Sequence, residues 1–332
     1  MRQRRAQPIR ASRSSPRAGP APRYAGYFLV GPTAVGKSAV AQLIAEQEGW
    51  DILSADSMSV YRGMDIGTAK PGPAESKRVR YWGLDLADPA DAFSVGQYLE
   101  YARRAFEQCG REKRPLMVVG GSGLYIKCLT EGLARVPPAD PDFRARAETL
   151  FKEGGLQALQ RVVRAMDSQR YRALGDGAKN RRRLVRAMEL AAHSVPVTRT
   201  WSAKPSIPVV GLRMETMALH KKVDARVRHM YEAGLVDEVK KLIGNHSRLS
   251  KTALQAIGYA EAFAVLRGDI HLEDAIRRTA ARTRQLAKRQ MTWFRHQARV
   301  EWIAAEQDSA ADVLGKKVLE LWRRYGPTPV VF

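Results

Sequence analysis

The sequence predicts an α/β fold in which a parallel sheet is flanked by crossover helices and interrupted by an all-helical insert. Three observations carry this. Compact β-prone runs alternate with amphipathic stretches from Tyr24 to Val119; each run stops at a glycine or an aspartate; and a basic stretch over residues 140–205, bounded by prolines, has helical but no strand patterning. In order, Tyr24–Val30 is a β-prone run ending at Gly31, and after Ser38 the stretch Ala39–Gln47 sets Val40, Leu43 and Ile44 on one helical face. Trp50–Ala55 reads as a second strand ending at Asp56. Ser94 followed by Gln97 is a capping box, opening a helix in which Val95, Tyr98, Leu99, Ala102 and Phe106 recur at helical spacing. Leu116–Val119 is a third strand, running into Gly120-Gly121-Ser122-Gly123. Beyond the insert, Val209–Leu212 returns to the sheet as its last strand. The remainder, free of proline until Pro327, carries two helical stripes: Leu219, Val223, Val227, Met230 and then Ile276, Ala280, Thr283, Ala287, Phe294. The expected division is an arm over 1–23, a first part of the core over 24–139, the insert over 140–205 and a second part of the core over 206–332.

Composition narrows the function. Of 332 residues, 45% are hydrophobic and 27% charged, which excludes a disordered chain and a fibrous one. No apolar run approaches the roughly 20 residues needed to span a bilayer, so no membrane partner is expected. Two cysteines, Cys109 and Cys128, exclude a disulfide scaffold and a thiolate zinc site, and fit a reducing, cytoplasmic compartment.

Charge is more telling. With 56 Lys and Arg against 34 Asp and Glu, the chain carries +22, which implies a polyanionic partner, nucleic acid before an anionic membrane. The first 23 residues hold seven arginines, four prolines and no acid, and are expected to be disordered. They read as a solvated basic arm or as an organelle transit peptide, against which the prolines speak. Without the arm +15 remains. Arg161–Arg186 holds nine basic residues against two acids, and Arg277–Arg299 holds eight against none. A single basic helix face is often just solvated surface; two faces with so little compensating acid favour phosphate contact.

Gly31-Pro32-Thr33-Ala34-Val35-Gly36-Lys37-Ser38 fits G-x-x-x-x-G-K-[ST] between a strand and a helix, which makes the fold P-loop NTPase-like. The glycines let backbone N–H groups turn inward around phosphate oxygens, the helix N-terminus adds its dipole, Lys37 reaches the terminal phosphate and Ser38 offers a hydroxyl to Mg²⁺. An NTP-hydrolysing machine usually adds a strand ending in Asp to help hold the metal. Here Leu116–Val119 ends in glycines, and the nearest strand-end acid is Asp56, either a metal helper or a base acting on an acceptor.

Asp56-Ser-Met-Ser-Val-Tyr-Arg-Gly-Met-Asp-Ile-Gly-Thr-Ala-Lys-Pro71 strongly resembles the tRNA dimethylallyltransferases (tRNA isopentenyltransferases), the MiaA family. So do Gly120-Gly-Ser-Gly-Leu-Tyr125, Ala256-Ile-Gly-Tyr259 and Thr283-Arg-Gln-Leu-Ala-Lys-Arg-Gln-Met-Thr-Trp-Phe-Arg295, all in order along most of the chain. The resemblance implies transfer of a dimethylallyl group from dimethylallyl diphosphate to N6 of the adenine 3′ to the anticodon, in tRNAs reading U-starting codons. It implies a phosphate loop that holds a leaving group rather than a hydrolysed nucleotide, with Lys37, Arg226 and Mg²⁺ on Ser38 neutralising it and Thr33 near its reacting end. It makes Asp56 the base, since the delocalised lone pair of an aromatic amine needs a carboxylate to orient it and take its proton. The target adenine would be flipped into a channel meeting the donor from the other side. The implied tRNA anticodon-arm contacts are Asp56, Ser57, Met58, Ser59, Ser122, Arg144, Arg182, Arg183, Leu184, Val185, Arg186, Gln255, Ala256, Ile257, Gly258, Tyr259 and Ala260; a monomer is expected. Arg182–Arg186 falls in the first basic cluster, so charge and resemblance agree on the insert as the clamp. The chain departs from the family at Ser59, where many relatives have Gln, at Tyr81-Trp82, where a His pair is common, and at Ser122 for Thr.

Three other readings stand beside this one. The phosphate loop alone permits a nucleotide or small-metabolite kinase; prenylation of free adenine nucleotides needs no basic insert; and an RNA-binding protein with a vestigial loop sits poorly with an intact Lys37 and Ser38.

Overall fold

The computed structural model describes residues 24–133, 137, 140–197, 207–250 and 252–332. The basic arm and the last residues of the insert lie outside them. In chain order the elements are β1 (Tyr24–Val30), α1 (Lys37–Glu48), β2 (Asp51–Ser54), α2 (Pro73–Arg78), β3 (Tyr81–Trp82), α3 (Val95–Arg111), β4 (Leu116–Gly120) and α4 (Gly123–Glu131). The insert comes next as α5 (Pro141–Met166), α6 (Ser168–Leu174) and α7 (Arg181–Ala192). The chain then continues through β5 (Val209–Arg213), α8 (Thr216–Glu232), α9 (Leu235–Asn245), α10 (Tyr259–Leu266), α11 (Leu272–Gln297), β6 (Val300–Ala304), α12 (Ala311–Tyr325) and β7 (Thr328–Val330).

Six strands form a parallel array in the order β3-β2-β4-β1-β5-β6. β7 pairs antiparallel with the first half of β1. Because all parallel strands point one way, the loops leaving β1, β2, β4 and β5 emerge along one edge, the edge at which open α/β sheets bind ligands. The central strands β1, β4 and β5 are largely apolar because helices cover both faces of the sheet. Phe28 and Val30 of β1 point into a core shared with Tyr98, Phe106 and Ile126 of α3 and α4, while Leu29 between them points into the core under α1 and α12, with Val40, Ile44 and Trp322. Each such buried side chain contributes about 1.5–3 kcal/mol.

Two further cores lie off the sheet. The Leu219–Met230 stripe of α8 and the front half of the α11 stripe are buried, and Val223, Val227, Met230, Ile276 and Ala280 pack there with Val60, Tyr61 and Met64 from the segment after β2. The insert holds a small core of its own, with Leu159, Val163, Leu184 and Met188 among its buried residues.

The sheet has seven strands, and β5 is not the last, contrary to the sequence reading. The three strands it lacked explain themselves. β3 is two residues long and has no period to detect. β6 is an edge strand, Val-Glu-Trp-Ile-Ala, half-buried over most of its length. β7 contains Pro329, which suits a short edge pairing and argues against a strand when read alone.

Candidate active site

The phosphate loop joins β1 to α1 in the geometry an anion requires. Gly31 has φ 143° and a Cβ there would lie 2.4 Å from the Leu212 carbonyl, so only glycine lets the loop leave β1 beside β5. Gly36, at φ 105°, caps α1 without a side-chain hydrogen bond, leaving the first-turn N–H groups to an outside acceptor. The Lys37 ammonium folds back and donates to the Pro32 carbonyl at 2.7 Å. Burial, then the nearby Arg226 guanidinium, push it down to about 7, with Asp56 opposing them. Arg226 reaches the same space from α8, and its ordinary value is also lowered, by burial, against the pull of Asp56. It pairs with no carboxylate among the described residues. Two buried cations facing one cavity are a charge arrangement suited to a polyanion.

Asp56 follows β2, next to β4 in the sheet, so its carboxylate stands across the crevice from the phosphate loop. Its Oδ1 accepts from the Met58 amide at 2.8 Å, and the Ser57 amide donates to the Ser122 hydroxyl at 3.0 Å, fixing the turn that carries it. Ser59 is buried; its hydroxyl lies 2.9 Å from that of Ser54 and donates to the Asp56 carbonyl at 3.2 Å. Tyr98 donates to the Ser54 carbonyl at 3.0 Å and stacks on Tyr125 at 3.8 Å between centroids, bracing the turn from beneath.

Two cavities meet at this carboxylate. One, of about 520 Å³, is lined by the phosphate loop from Thr33 to Ser38 except Val35, by Thr68–Pro71 and by Lys222 and Arg226 of α8. The other, of about 920 Å³, opens toward the segment Thr252–Ile257 before α10, toward α11 and toward Arg182 of the insert. Thr33, Asp56, Thr68, Gly121, Arg226 and Gln290 line both. The arrangement allows a phosphate-bearing ligand on one side and a second reactant on the other, with a carboxylate at their junction.

The residues singled out in the sequence divide accordingly. Thr33, Ala34, Gly36, Lys37, Ser38 and Ser59 face the smaller cavity, together with Asp56. Ser57, Met58, Ser122, Arg182, Gln255, Ala256 and Ile257 face the larger one. Arg182 of α7 donates to Gln255 at 2.8 Å, bringing insert and core together at its mouth. Tyr259 is buried at the start of α10, after Gly258, and Ala260 is exposed. The others of the insert line neither cavity. Leu184 is core, Val185 packs beside it, Arg183 is exposed, and Arg144 and Arg186 grip the buried Glu189 at 2.6 and 2.8 Å. Tyr81 lines the smaller cavity and donates to Gln42, while its neighbour Trp82 turns away to donate to Asp51 at 2.9 Å. Sequence reasoning misses Gln290, although it lies inside the Thr283–Arg295 string; only its tertiary contacts reveal it.

Among the described residues no group of three or more His, Cys, Asp or Glu side chains is arranged to hold a metal ion. The smaller cavity is lined by the hydroxyls of Thr33, Ser38, Ser54, Ser59 and Thr68 and the carboxylates of Asp56 and Glu75, with no His or Cys among its described lining residues. Of these Thr33 and Ser38 belong to the phosphate loop itself, and oxygen donors without imidazole or thiol suit a hard cation such as Mg²⁺ rather than zinc.

Residues 59–297 match the family model for IPP transferase. The chain is 38% identical over 285 residues to a tRNA dimethylallyltransferase of Geobacter metallireducens, covering 83% of this chain and 91% of that one. It is 36% identical over 282 residues to that of Bacillus licheniformis, covering 82% and 88%. Among solved structures, a full-length tRNA isopentenylpyrophosphate transferase of Bacillus halodurans superposes with a TM-score of 0.63 at 32% identity, over 91% of this chain and 99% of that one. A eukaryotic dimethylallyltransferase acting on tRNA shares the fold, with a TM-score of 0.69 at 20% identity, over 91% and 76%.

Proposed function

The chain belongs to the IPP transferase family, the tRNA dimethylallyltransferases, and from that premise we propose that its joined cavities carry a dimethylallyl group from dimethylallyl diphosphate to N6 of the adenine 3′ to the anticodon. It is a tRNA prenyltransferase. Phosphoryl transfer, which the phosphate loop alone allowed, is set aside by this membership. The observation that carries the finer reading is the shared wall: Thr33, Asp56 and Arg226 line both cavities, so donor and base can meet at one carboxylate.

The smaller cavity takes the donor. Its diphosphate lies on the inward amides of Ala34–Ser38 and the N-terminus of α1, with Lys37 and Arg226 against its oxygens and the Thr33 side chain beside the bridging one. Ser38 would hold Mg²⁺, which when bound supplies charge neutralisation to the leaving diphosphate. The larger cavity takes the adenine, flipped out of its stack and approached by Ser57, Met58, Ser122 and Gln255–Ile257. Asp56 accepts a hydrogen bond from the N6 amino group and orients it toward C1 of the donor. As the N6–C1 bond forms, the C1–O bond breaks, diphosphate leaves with the bonding pair, and the N6 proton passes to the Asp56 carboxylate. Adenine stacked in RNA would leave the larger cavity empty, so the clamp on the anticodon arm, with Arg182 and Arg183 on phosphate, belongs to catalysis as much as to affinity. A monomer is taken as the acting form. No described helix is long and apolar enough to cross a membrane. We place the reaction with unmodified tRNA in the cytoplasm.

The test is mass analysis of tRNA nucleosides after incubation with dimethylallyl diphosphate, Mg²⁺ and unmodified tRNA, comparing wild type with Asp56→Ala. One prenyl group per tRNA, absent with the variant, is expected. ATP-dependent phosphorylation of a small acceptor with no alkylated RNA would overturn the reading.

A further inference from the structure

Two strings that resemble the family, Asp65-Ile-Gly-Thr-Ala-Lys-Pro71 and Ala256-Ile-Gly-Tyr259, contain residues that touch neither cavity, and a single side chain joins them. Glu238 projects from α9, which is anchored through the buried Leu235, Val239 and Leu242. The amides of Asp65, Ile66 and Gly67 all donate to its carboxylate, at 3.0, 2.7 and 3.4 Å. The Tyr259 hydroxyl donates to it as well, at 2.6 Å.

Three successive amides converge on one point only where the backbone curls into a concavity of the kind that elsewhere binds anions. Here the chain fills that concavity with its own carboxylate. The curl also sets the residues just beyond it: Ala69 and Lys70 donate back to the Ile66 and Asp65 carbonyls at 3.1 Å each, and Thr68 donates to the Met64 carbonyl at 2.5 Å. Thr68 lines both cavities, and Ala69, Lys70 and Pro71 wall the smaller one. From the other side, Tyr259 lies two residues past Ile257, the end of the stretch that faces the larger cavity. Its ring is seated on Gly67 so closely that a Cβ there would fall 2.4 Å from it. Burial and the Glu238 charge hold the phenol far above its usual range, so it stays a donor.

We propose that Glu238 is a positioning residue for the transfer reaction, holding the Asp65–Pro71 wall of the donor cavity in register with the Gln255–Tyr259 segment that faces the RNA. This rests on the assignment of the two cavities to donor and adenine. Glu238 touches neither substrate; it fixes the distance between the two surfaces that do. Removing it leaves three amides and a phenol without their acceptor, and the wall shifts relative to Asp56 while the phosphate loop, held by other contacts, stays in place.

The experiment measures steady-state transfer from dimethylallyl diphosphate to unmodified tRNA for wild type, Glu238→Ala, Glu238→Gln and Tyr259→Phe. Binding of inorganic diphosphate by calorimetry is measured on the same proteins. Glu238→Ala is expected to lower kcat about 100-fold, the cost of a misplacement on the ångström scale, with diphosphate affinity unchanged. Glu238→Gln keeps an acceptor oxygen for the Asp65 and Ile66 amides and should restore most of the rate. Tyr259→Phe removes one hydroxyl, tests the link without emptying the concavity, and should lower kcat about tenfold with diphosphate affinity unchanged. Full kcat in Glu238→Ala and Tyr259→Phe overturns the inference alone. So does parallel loss of rate and diphosphate binding, which would make Glu238 a general support of the fold. Absence of transfer by wild type overturns the assignment of the cavities and the inference with it.

Discussion

The backbone amide of Thr33 donates to Gln290 Oε1 at 2.8 Å, and the same side chain donates through Nε2 to the Gly121 carbonyl at 3.2 Å. One glutamine of α11 thus ties the phosphate loop after β1 to the turn after β4. A phosphate loop otherwise has little to hold its open end, because its amides must stay free for the ligand. Gln290→Ala leaves that turn and one loop amide without partners. The expected result is a higher KM for dimethylallyl diphosphate and a loss of about 1–3 kcal/mol in stability, read by denaturant unfolding. Gly121→Ala should act alike, since its Cβ would lie 2.3 Å from Gln290 Nε2 and push the amide off both partners.

Asp56 is expected to act on rate rather than on donor binding. Its carboxylate is held by the Met58 amide at 2.8 Å, a contact that an asparagine carbonyl can also make, so Asp56→Asn keeps the turn and removes the base. Single-turnover assays should show transfer slowed about 10²–10⁴-fold, with the affinity for inorganic diphosphate preserved. Equal loss of both would make Asp56 part of the diphosphate site instead.

Lys37 predicts a pH signature. Burial and Arg226 bring its ammonium down to about 7, so in the free protein at pH 8 much of it is neutral. A bound diphosphate favours the charged form, so binding at pH 8 should draw a proton from solution. Lys37→Arg, charged at every accessible pH, should not show this. Calorimetry in buffers of different ionisation enthalpy measures the difference, and subtraction between the two proteins cancels the protons released by diphosphate itself. The same shift gives the sign for folding. The unfolded lysine binds its proton up to its ordinary value of 10.5, so the free protein gains stability from this group as pH rises from about 7 to 10.5.

The features legible in the sequence are those that act locally. The loop Gly31–Ser38 and the strand-end Asp56 announce themselves because a strand, a turn and a helix start lie within a few residues of each. Arg226 is legible through the resemblance; from the residues alone it is only a neighbour of the Leu219–Met230 stripe, because periodicity shows which face of α8 is buried, not that its flank looks into the smaller cavity. Gln290 and Glu238 are illegible for a stronger reason. Each acts on backbone groups far away in the chain, and nothing in the spacing around a glutamine or glutamate on a polar helix marks an amide that folding will bring to it. The edge strand β6 escapes because its half-buried residues lack the apolar continuity that exposes β1 and β4, and β7 because three residues around Pro329 do not read as a strand.

Charge counting alone treats the arginines of the insert as equivalent, and the structure divides them. Arg144 and Arg186 commit their guanidinium groups to Glu189, whose side chain is 1% exposed. Burial raises that carboxyl and the hydrogen bonds from Arg144 and Arg186 lower it further, leaving it below its ordinary 4.5. A carboxylate depressed in the folded state adds stability above its unfolded value and loses it as pH falls through the folded one, so the insert should loosen below about pH 4.5. Arg182, exposed and held among the described residues to Gln255, remains available to phosphate. Arg182→Ala should therefore weaken tRNA binding and reduce the slope of log affinity against log salt by about 0.7–0.9, one phosphate contact, with the melting temperature unchanged. Arg144→Ala should do the reverse: the slope stays, and unfolding shows a loss of about 2 kcal/mol, below the full cost of stranding a buried charge because Arg186 still pairs with Glu189. If instead Arg144→Ala lowers the salt slope and spares stability, the Glu189 pairing gives way when tRNA binds, and Arg144 joins Arg182 and Arg183 in the clamp.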